Sequence, residues 1–176
     1  MKKMIKKGIT LNLSNGFTLV ELLIVIALLG ALAIGLIGAL DPFEQLKKGT
    51  DTGTRNSVSE IHASVIRFYA LKGFMPWCTD ALTCDNPSGA ALLSAPMVSA
   101  LSMITLTGEL KTNFTTINAG ELGKIFVTGT ETDVSVCYKP GSKSFRSDVN
   151  TKYLVDGGAG TGCGTTDATA CYWCVR

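Results

Sequence analysis

The sequence predicts an α+β fold, with a helical N-terminal part packed on a small antiparallel sheet that disulfides hold together. Three observations predict it. An apolar run of helical length opens the chain, helix-capping signals with apolar residues at helical spacing follow, and short strand-like runs with turn residues occupy the last third. A helical segment followed by a meander of strands is typical of α+β domains.

The apolar run extends from Phe17 to Leu40, and Glu21 is its one charged residue. About twenty apolar residues at ~1.5 Å each suffice to cross the hydrocarbon core of a bilayer. A carboxylate inside such a segment is costly, which marks Glu21 as a functional candidate. An ordinary signal peptide has a shorter apolar region. The lysines before the run predict a cytoplasmic N-terminus and an exported C-terminal part. They are Lys2, Lys3, Lys6 and Lys7.

Beyond the apolar run, local signals predict helical segments. Residues 41–44 have the Asp-Pro-x-Glu pattern of a helix start, with Asp41 as the N-cap. Residues 49–54 are polar and contain glycine, which weakens a helix, and residues 57–60 form a second capping box. Four apolar residues follow at helical spacing and predict a buried face. They are Ile61, Val65, Phe68 and Tyr69.

The head is expected to begin at Gly73. A short helix starting at Pro96 comes first. Residues 124–128 and 134–138 then predict a β-hairpin, because two β-branched and aromatic runs flank a short polar turn. Weaker strands are expected at residues 144–146 and 170–175.

Residues 16–21, Gly-Phe-Thr-Leu-Val-Glu, are followed by Leu-Leu-Ile-Val-Ile. This segment resembles the processing site and helix of type IV prepilins and related pseudopilins, over roughly residues 2–40. The resemblance implies that a prepilin peptidase cuts after Gly16 and N-methylates Phe17. It also implies that Glu21 attracts the N-terminal ammonium of a neighbouring subunit, which would offset the cost of a carboxylate in hydrocarbon.

The resemblance further implies the domain organisation. Residues 1–16 would be a leader peptide, residues 17–72 one long, bent and nearly continuous helix, and residues 73–176 the globular head. Residues 17–40 would be the transmembrane half of that helix, with weak points near Pro42 and at residues 49–53.

Small residues recur every four positions along the apolar run. This spacing places them along one slowly drifting helix face, where they allow neighbouring helices to approach closely. Alanine and glycine are also common in membrane helices, so the pattern has a second explanation. The candidate residues of this assembly face are Ala27, Ala31, Gly35 and Ala39.

An even number of cysteines, all after the apolar run, predicts disulfides in an oxidising compartment. Fifteen pairings are formally possible. A local Cys78–Cys84 loop is plausible, and pairing Cys137 with one of the C-terminal three would tie the tail to the sheet. The disulfide candidates are Cys78, Cys84, Cys137, Cys163, Cys171 and Cys174.

Other chemistry finds little support in the sequence. The CxxC of Cys171 and Cys174 lies at the C-terminus, not at a helix start within a βαβ unit, which favours structural disulfides over a redox or zinc site. His62 is the one histidine of the chain, so a His-based metal cluster within one chain is excluded. Calcium binding by Asp148, Asn150 and Asp156 remains an alternative, although their spacing matches no EF-hand. We expect no catalytic residue, no metal and no cofactor.

The precursor has a net charge of +2, and without the four leader lysines 12 basic residues face 14 acidic ones, about −2. Nucleic-acid binding is therefore not inferred. We expect a pilin that starts in the inner membrane and ends in an extracellular filament. Its expected partners are copies of itself, prepilin peptidase, the pilus assembly machinery and, before assembly, membrane lipid. The alternatives are a pseudopilin of a type II secretion or DNA-uptake system, a membrane-tethered thiol oxidoreductase, and a lipid-embedded binding module that never polymerises.

Overall fold

The computed structural model describes residues 16–39, 41–80, 83–160, 162 and 171–176. The chain divides into two compact units, residues 1–42 and residues 43–176. The described part of the first unit is mainly helix α1 (Leu19–Ala39). Most of the predicted leader and Cys163 lie outside the described residues.

The second helix, α2 (Pro42–Lys72), begins where the sequence predicted a helix start. Proline suits the first position of a helix because its missing N–H has no intrahelical partner there anyway, and Glu44 lies in the first turn. Helices α1 and α2 are assigned separately, with Asp41 outside both. One long, bent helix over residues 17–72 stays a prediction. The weak point expected near Pro42 coincides with a helix boundary.

Helix α2 continues through residues 49–53, where a weak point was expected, so the glycines in this stretch do not interrupt it. The hydroxyls of Thr50, Thr52 and Thr54 each donate to the carbonyl oxygen four residues earlier, at 2.8–3.2 Å. The capping box expected at residues 57–60 is wrong, because these residues lie within a continuous helix. Ser57 lies inside α2 and donates to the carbonyl oxygen of Gly53.

The second unit contains a five-stranded antiparallel sheet with strand order β1-β2-β3-β5-β4. The predicted hairpin is confirmed, since β2 pairs with β3 from Ile125 opposite Tyr138 to Gly129 opposite Val134. The predicted final strand is also confirmed, and it inserts between β3 and β4. The strands are β1 (Ala90–Ala91), β2 (Ile125–Gly129), β3 (Val134–Tyr138), β4 (Thr151–Tyr153) and β5 (Tyr172–Val175).

Four further helices lie among the described residues of this unit. The predicted helix near Pro96 is present as α3 (Ala95–Leu106), followed by α4 (Phe114–Ile117) and α5 (Ala119–Leu122). The strand expected at residues 144–146 is wrong, because this stretch is helix α6 (Lys143–Arg146). Ser142 caps it by accepting from the backbone N–H of Phe145. With the long α2 on an antiparallel sheet, the predicted α+β class is confirmed.

The core lies between one face of α2 and the rest of the second unit. Ile61, Val65 and Phe68 are buried as the helical spacing predicted, and Tyr69 is half-buried against them. Trp77 packs so closely on Gly129 that a Cβ at this position would lie 2.2 Å from its ring, so only glycine fits there. The Trp77 indole N–H donates to the carbonyl oxygen of Thr130 at 3.1 Å.

A buried carboxylate connects α2 to the turn after β3. Asp51 is only 5% exposed. Its carboxylate accepts from the backbone N–H groups of Gly141 and Ser142, at 3.0 and 2.8 Å, and from the Ser142 hydroxyl at 2.6 Å. Three donors compensate for its loss of hydration and fix the turn against the helix.

Candidate processing and assembly site

The residues at the start of α1 form a capping box. Thr18 directly precedes the helix, and its carbonyl oxygen accepts the first intrahelical bond from Leu22 at 3.2 Å. The Thr18 hydroxyl accepts from the backbone N–H of Glu21 at 3.2 Å. The Glu21 carboxylate in turn accepts from the backbone N–H and the hydroxyl of Thr18, both at 2.9 Å. The two side chains thus satisfy donors that a helix start otherwise leaves unpaired.

The sequence reasoning assigned Glu21 a charge partner in another subunit and overlooked this local partner. The signal was present, because Thr18-x-x-Glu21 has the S/T-x-x-E spacing of a capping box. Glu21 is exposed to solvent in this single chain. The carboxylate therefore has a local hydrogen-bond donor and still offers its charge to another molecule.

The predicted cleavage point lies just before this capping box. Gly16, Phe17 and Thr18 have no regular secondary structure and are exposed, with Phe17 at 83% exposure. Both residues that the peptidase would act on are therefore in non-helical backbone ahead of α1. Their processing stays a prediction.

The apolar side chains of helix α1 are exposed to solvent in the described chain. None of its 21 residues is buried. At ~1.5 Å per residue it is about 32 Å long, close to the ~30 Å hydrocarbon core of a bilayer. By length and composition it is the one described helix that could span a membrane.

The small residues at four-residue spacing all lie on α1 and are exposed. A Cβ built at Gly35 meets no atom within 4 Å, so the described chain itself does not require glycine at this position. An assembly face formed by Ala27, Ala31, Gly35 and Ala39 stays a prediction, with no contact in the single chain to support or oppose it.

Two disulfides have both of their cysteines among the described residues. Cys78 pairs with Cys84, and Cys137 pairs with Cys174 across β3 and β5. Cys171 is also disulfide-bonded. The local loop and the link from Cys137 to the tail are both as expected from the sequence. Because Cys174 is bonded to Cys137, the CxxC does not form the dithiol pair that a thiol oxidoreductase would need.

The remaining candidates have structural partners. His62 is half-buried on α2, and burial lowers the pKa of its imidazole, an effect that a hydrogen bond with the Val134 backbone partly offsets. Asp148 contacts Arg55 and the backbone N–H of Asn150, and Asp156 accepts from the backbone N–H of Gly158. Within the described ranges, no three His, Cys, Asp or Glu side chains converge as a metal site.

An exposed apolar helix of membrane-spanning length, placed after lysines near the N-terminus, fits the class of proteins made as a membrane-anchored precursor. The family comparison narrows this class. Residues 11–37 match the family described as the prokaryotic N-terminal methylation motif. The chain therefore carries the N-terminal methylation motif, which supports a type IV pilin-like family. The comparisons with curated proteins and with solved structures each give no match.

Proposed function

We propose that this chain is a structural subunit of a type IV pilus. It is made as a membrane-anchored precursor, cut between Gly16 and Phe17, and polymerised through α1. The methylation motif on an exposed apolar helix is the observation that carries the proposal. The chain has no catalytic role of its own and needs no cofactor.

Cleavage after Gly16 would remove the four leader lysines and create a new N-terminal ammonium on Phe17. The leader charges hold the precursor across the membrane with its N-terminus in the cytoplasm. Without them, the anchor is retained only by its apolar surface. Processing would thus convert a stably oriented membrane protein into a subunit that other subunits can take up.

Glu21 would then recruit the ammonium of a neighbouring subunit. An uncompensated carboxylate in hydrocarbon costs several kcal/mol, and the Thr18 hydrogen bonds offset only part of this because they do not neutralise the charge. A neighbouring ammonium would supply the missing charge and fix the axial register of the two helices. The hydrogen bonds from Thr18 would hold the Glu21 carboxylate in one orientation before the neighbouring subunit binds.

The second unit would form the outer surface of the filament. Its disulfides suit the oxidising compartment outside the inner membrane. The precursor would reside in the inner membrane, with membrane lipid, prepilin peptidase and the assembly machinery as partners. In the filament, the partners would be further copies of the chain.

The decisive measurement is the N-terminal mass of the chain in material sheared from the cell surface. We expect a chain that begins at Phe17 and carries one added methyl group. Gly16→Val is the control, because it alters the cleavage point but leaves the lysines and α1 intact. It should give a precursor that begins at Met1 and stays in the membrane.

A wild-type chain that begins at Met1 and occurs only in membranes would overturn the proposal. A processed chain in short periplasmic assemblies, without surface filaments, would instead identify a pseudopilin. Electron microscopy of the same sheared material, with antibodies against the second unit, distinguishes the two.

A further inference from the structure

A cleft of about 480 Å³ lies within the second unit, beside the first turns of α2. Its volume is in the range that holds a small molecule or a headgroup. Three parts of the chain line it: the start of α2, the end of α5 with the residues after it, and the end of β3 with the following turn. The lining residues include Phe43, Leu46, Lys47, Glu121, Lys124 and Lys139.

The charges in this cleft favour an anion. Of its two acidic residues, Asp51 accepts three hydrogen bonds from the turn after β3. Glu121 accepts from the Thr54 hydroxyl at 2.5 Å and pairs with Lys124 at 3.2 Å. The lining also carries Lys47 and Lys139, so that three lysines face two carboxylates and the lining has a net charge of +1.

The same cleft has an exposed apolar border. Phe43 is 74% exposed and Leu46 is 68% exposed, both in the first turns of α2. Phe43 follows Ala39 by four residues, so the covalent chain keeps it within about 14 Å of the end of α1. Phenylalanine and leucine side chains next to lysines are typical of a helix that lies at the membrane–water interface.

We propose that this cleft binds the headgroup phosphate of an anionic phospholipid in the membrane that anchors α1. The ammonium groups of Lys47, Lys124 and Lys139 donate to the phosphate oxygens, and Phe43 and Leu46 contact the glycerol and upper acyl region. The inference rests on the membrane anchoring proposed above and adds a specific lipid site to it. The site would hold the start of α2 at the membrane surface until the subunit leaves the bilayer.

The test uses the full chain reconstituted in bilayers of phosphatidylcholine, with or without phosphatidylglycerol. Lysines are acetylated briefly, and mass spectrometry measures the modification of each one. Flotation of the chain with the bilayers is checked first. We expect phosphatidylglycerol to reduce acetylation of Lys47, Lys124 and Lys139 severalfold, while Lys111 and Lys152, which do not line the cleft, change little.

Two adjacent substitutions provide the matched control. Lys47→Gln removes a lining charge, and Lys48→Gln removes the same charge one residue further along α2, outside the lining. One lysine near an anionic surface is worth about a fivefold change in affinity. Lys47→Gln should therefore raise about fivefold the phosphatidylglycerol content needed to protect Lys139, and Lys48→Gln should have a smaller effect.

Other results overturn the lipid site. Equal acetylation in both bilayers, or equal protection of all lysines, would mean that no specific headgroup site exists. Protection that arises only in assembled filaments free of lipid would assign the cleft to a neighbouring subunit. A chain that does not float with either bilayer would overturn both the anchoring and the lipid site, whereas normal flotation without selective protection would overturn the lipid site alone.

Discussion

Helices α1 and α2 are consecutive in the chain, yet they obtain their stability in different ways. α2 buries eight residues against the second unit, whereas α1 buries none. Burying an aliphatic or aromatic side chain contributes about 1.5–3 kcal/mol, so α2 is stabilised by the chain to which it belongs. α1 exposes its leucines, isoleucines and valines, and another molecule has to remove them from water. Lipid first and neighbouring copies later would provide that cover.

The comparison also separates two kinds of polar contact. In α2, Asp51 is buried with three donors from a turn about ninety residues later. In α1, the charged Glu21 accepts from the local donors of Thr18 within the described residues. A change in α1 should therefore affect assembly and leave the fold of the second unit intact. A change in α2 should affect the stability of that fold.

The largest effect is expected from Glu21→Ala, which should abolish filaments while precursor level and membrane insertion stay normal. The reason is the loss of the charge that would attract the neighbour's ammonium. Electron microscopy and immunoblots of sheared material measure filament yield, and fractionation measures insertion.

Glu21→Gln is the sharper variant, because glutamine keeps an oxygen that can accept from Thr18 but carries no charge. We expect it to fail in assembly as Glu21→Ala does. Normal filaments with glutamine would show that the capping box, worth about 0.5–2 kcal/mol, is what matters at this position. Thr18→Ser, which keeps the hydroxyl, should assemble normally.

The next effect concerns the small residues on α1. Ala31→Leu places a bulky side chain on the proposed assembly face, and Ala33→Leu places the same side chain about 200° around the helix. We expect Ala31→Leu to reduce filament yield clearly and Ala33→Leu to reduce it much less, because close helix approach needs small residues. Quantitative blots of sheared filaments measure both.

Gly35→Leu should also weaken assembly, although it raises helix propensity at the same time, which makes the alanine pair the cleaner comparison. Equal yields for Ala31→Leu and Ala33→Leu would count against the stripe of Ala27, Ala31, Gly35 and Ala39 as a contact face.

In α2 the largest effect is expected at Asp51. Asp51→Ala leaves the backbone N–H groups of Gly141 and Ser142 without their acceptor, which should lower the free energy of unfolding by roughly 2–4 kcal/mol. Asp51→Asn, which keeps one carbonyl oxygen, should lose less. Thermal unfolding of the full chain in detergent, followed by near-UV circular dichroism, reports on the second unit.

Glu60→Ala is the control for Asp51→Ala, since Glu60 lies on the same helix but pairs with Arg67 at the surface. An exposed pair of this kind contributes less than about 1 kcal/mol. If Asp51→Ala unfolds at the same temperature as Glu60→Ala, the buried carboxylate does not stabilise the turn.

Elements that depend on a few neighbouring residues can be predicted from the sequence more readily than elements that depend on a distant contact. The apolar helix, the helix start at Pro42 and the hairpin of β2 and β3 follow from patterns within a few residues. The helix at residues 143–146 does not, because its position depends on Asp51, which holds Ser142 from α2. The local pattern at residues 144–146 cannot reveal that Ser142 bonds to Asp51, some ninety residues earlier.

The candidate site shows the same difference between local signals and contacts with distant residues or other molecules. The capping box of Thr18 and Glu21 is local and could have been predicted, whereas the one expected at Ser57 failed because the helix around it continues. Inside a continuous helix the serine hydroxyl donates to the carbonyl of Gly53. The proposed assembly contacts cannot be derived from one chain, since they would involve a second molecule.

A smaller effect, of opposite sign, is expected at Tyr138. This side chain is 1% exposed, and its hydroxyl has no hydrogen-bond partner within the described chain. Burial, next to the Asp51 carboxylate, raises the pKa of the hydroxyl, which therefore stays protonated. Tyr138→Phe keeps the ring contact with Trp173 and should raise the free energy of unfolding by about 1 kcal/mol.

Thr151→Val is the matched control, because the buried Thr151 hydroxyl donates to the carbonyl oxygen of Phe145 at 2.7 Å. Its loss should lower the free energy of unfolding by about 1 kcal/mol. The two variants thus remove buried hydroxyls with opposite results. Destabilisation by Tyr138→Phe would contradict this and imply a bound water as the missing partner.

The smallest effect is a pH dependence that belongs to α2 and not to α1. Burial lowers the pKa of His62, so the folded chain binds its proton less readily than the unfolded chain, whose histidine has a pKa of about 6.5. Between these two pKa values the unfolded state binds more protons, and the free energy of unfolding must fall as the pH falls. Above about pH 7 the imidazole is neutral in both states and has no further effect. The unfolding temperature should therefore be lower at pH 5 than at pH 7, and His62→Gln should reduce this difference. Because His62 is the single histidine of the chain, an unchanged difference in His62→Gln would assign the pH dependence to the carboxylates.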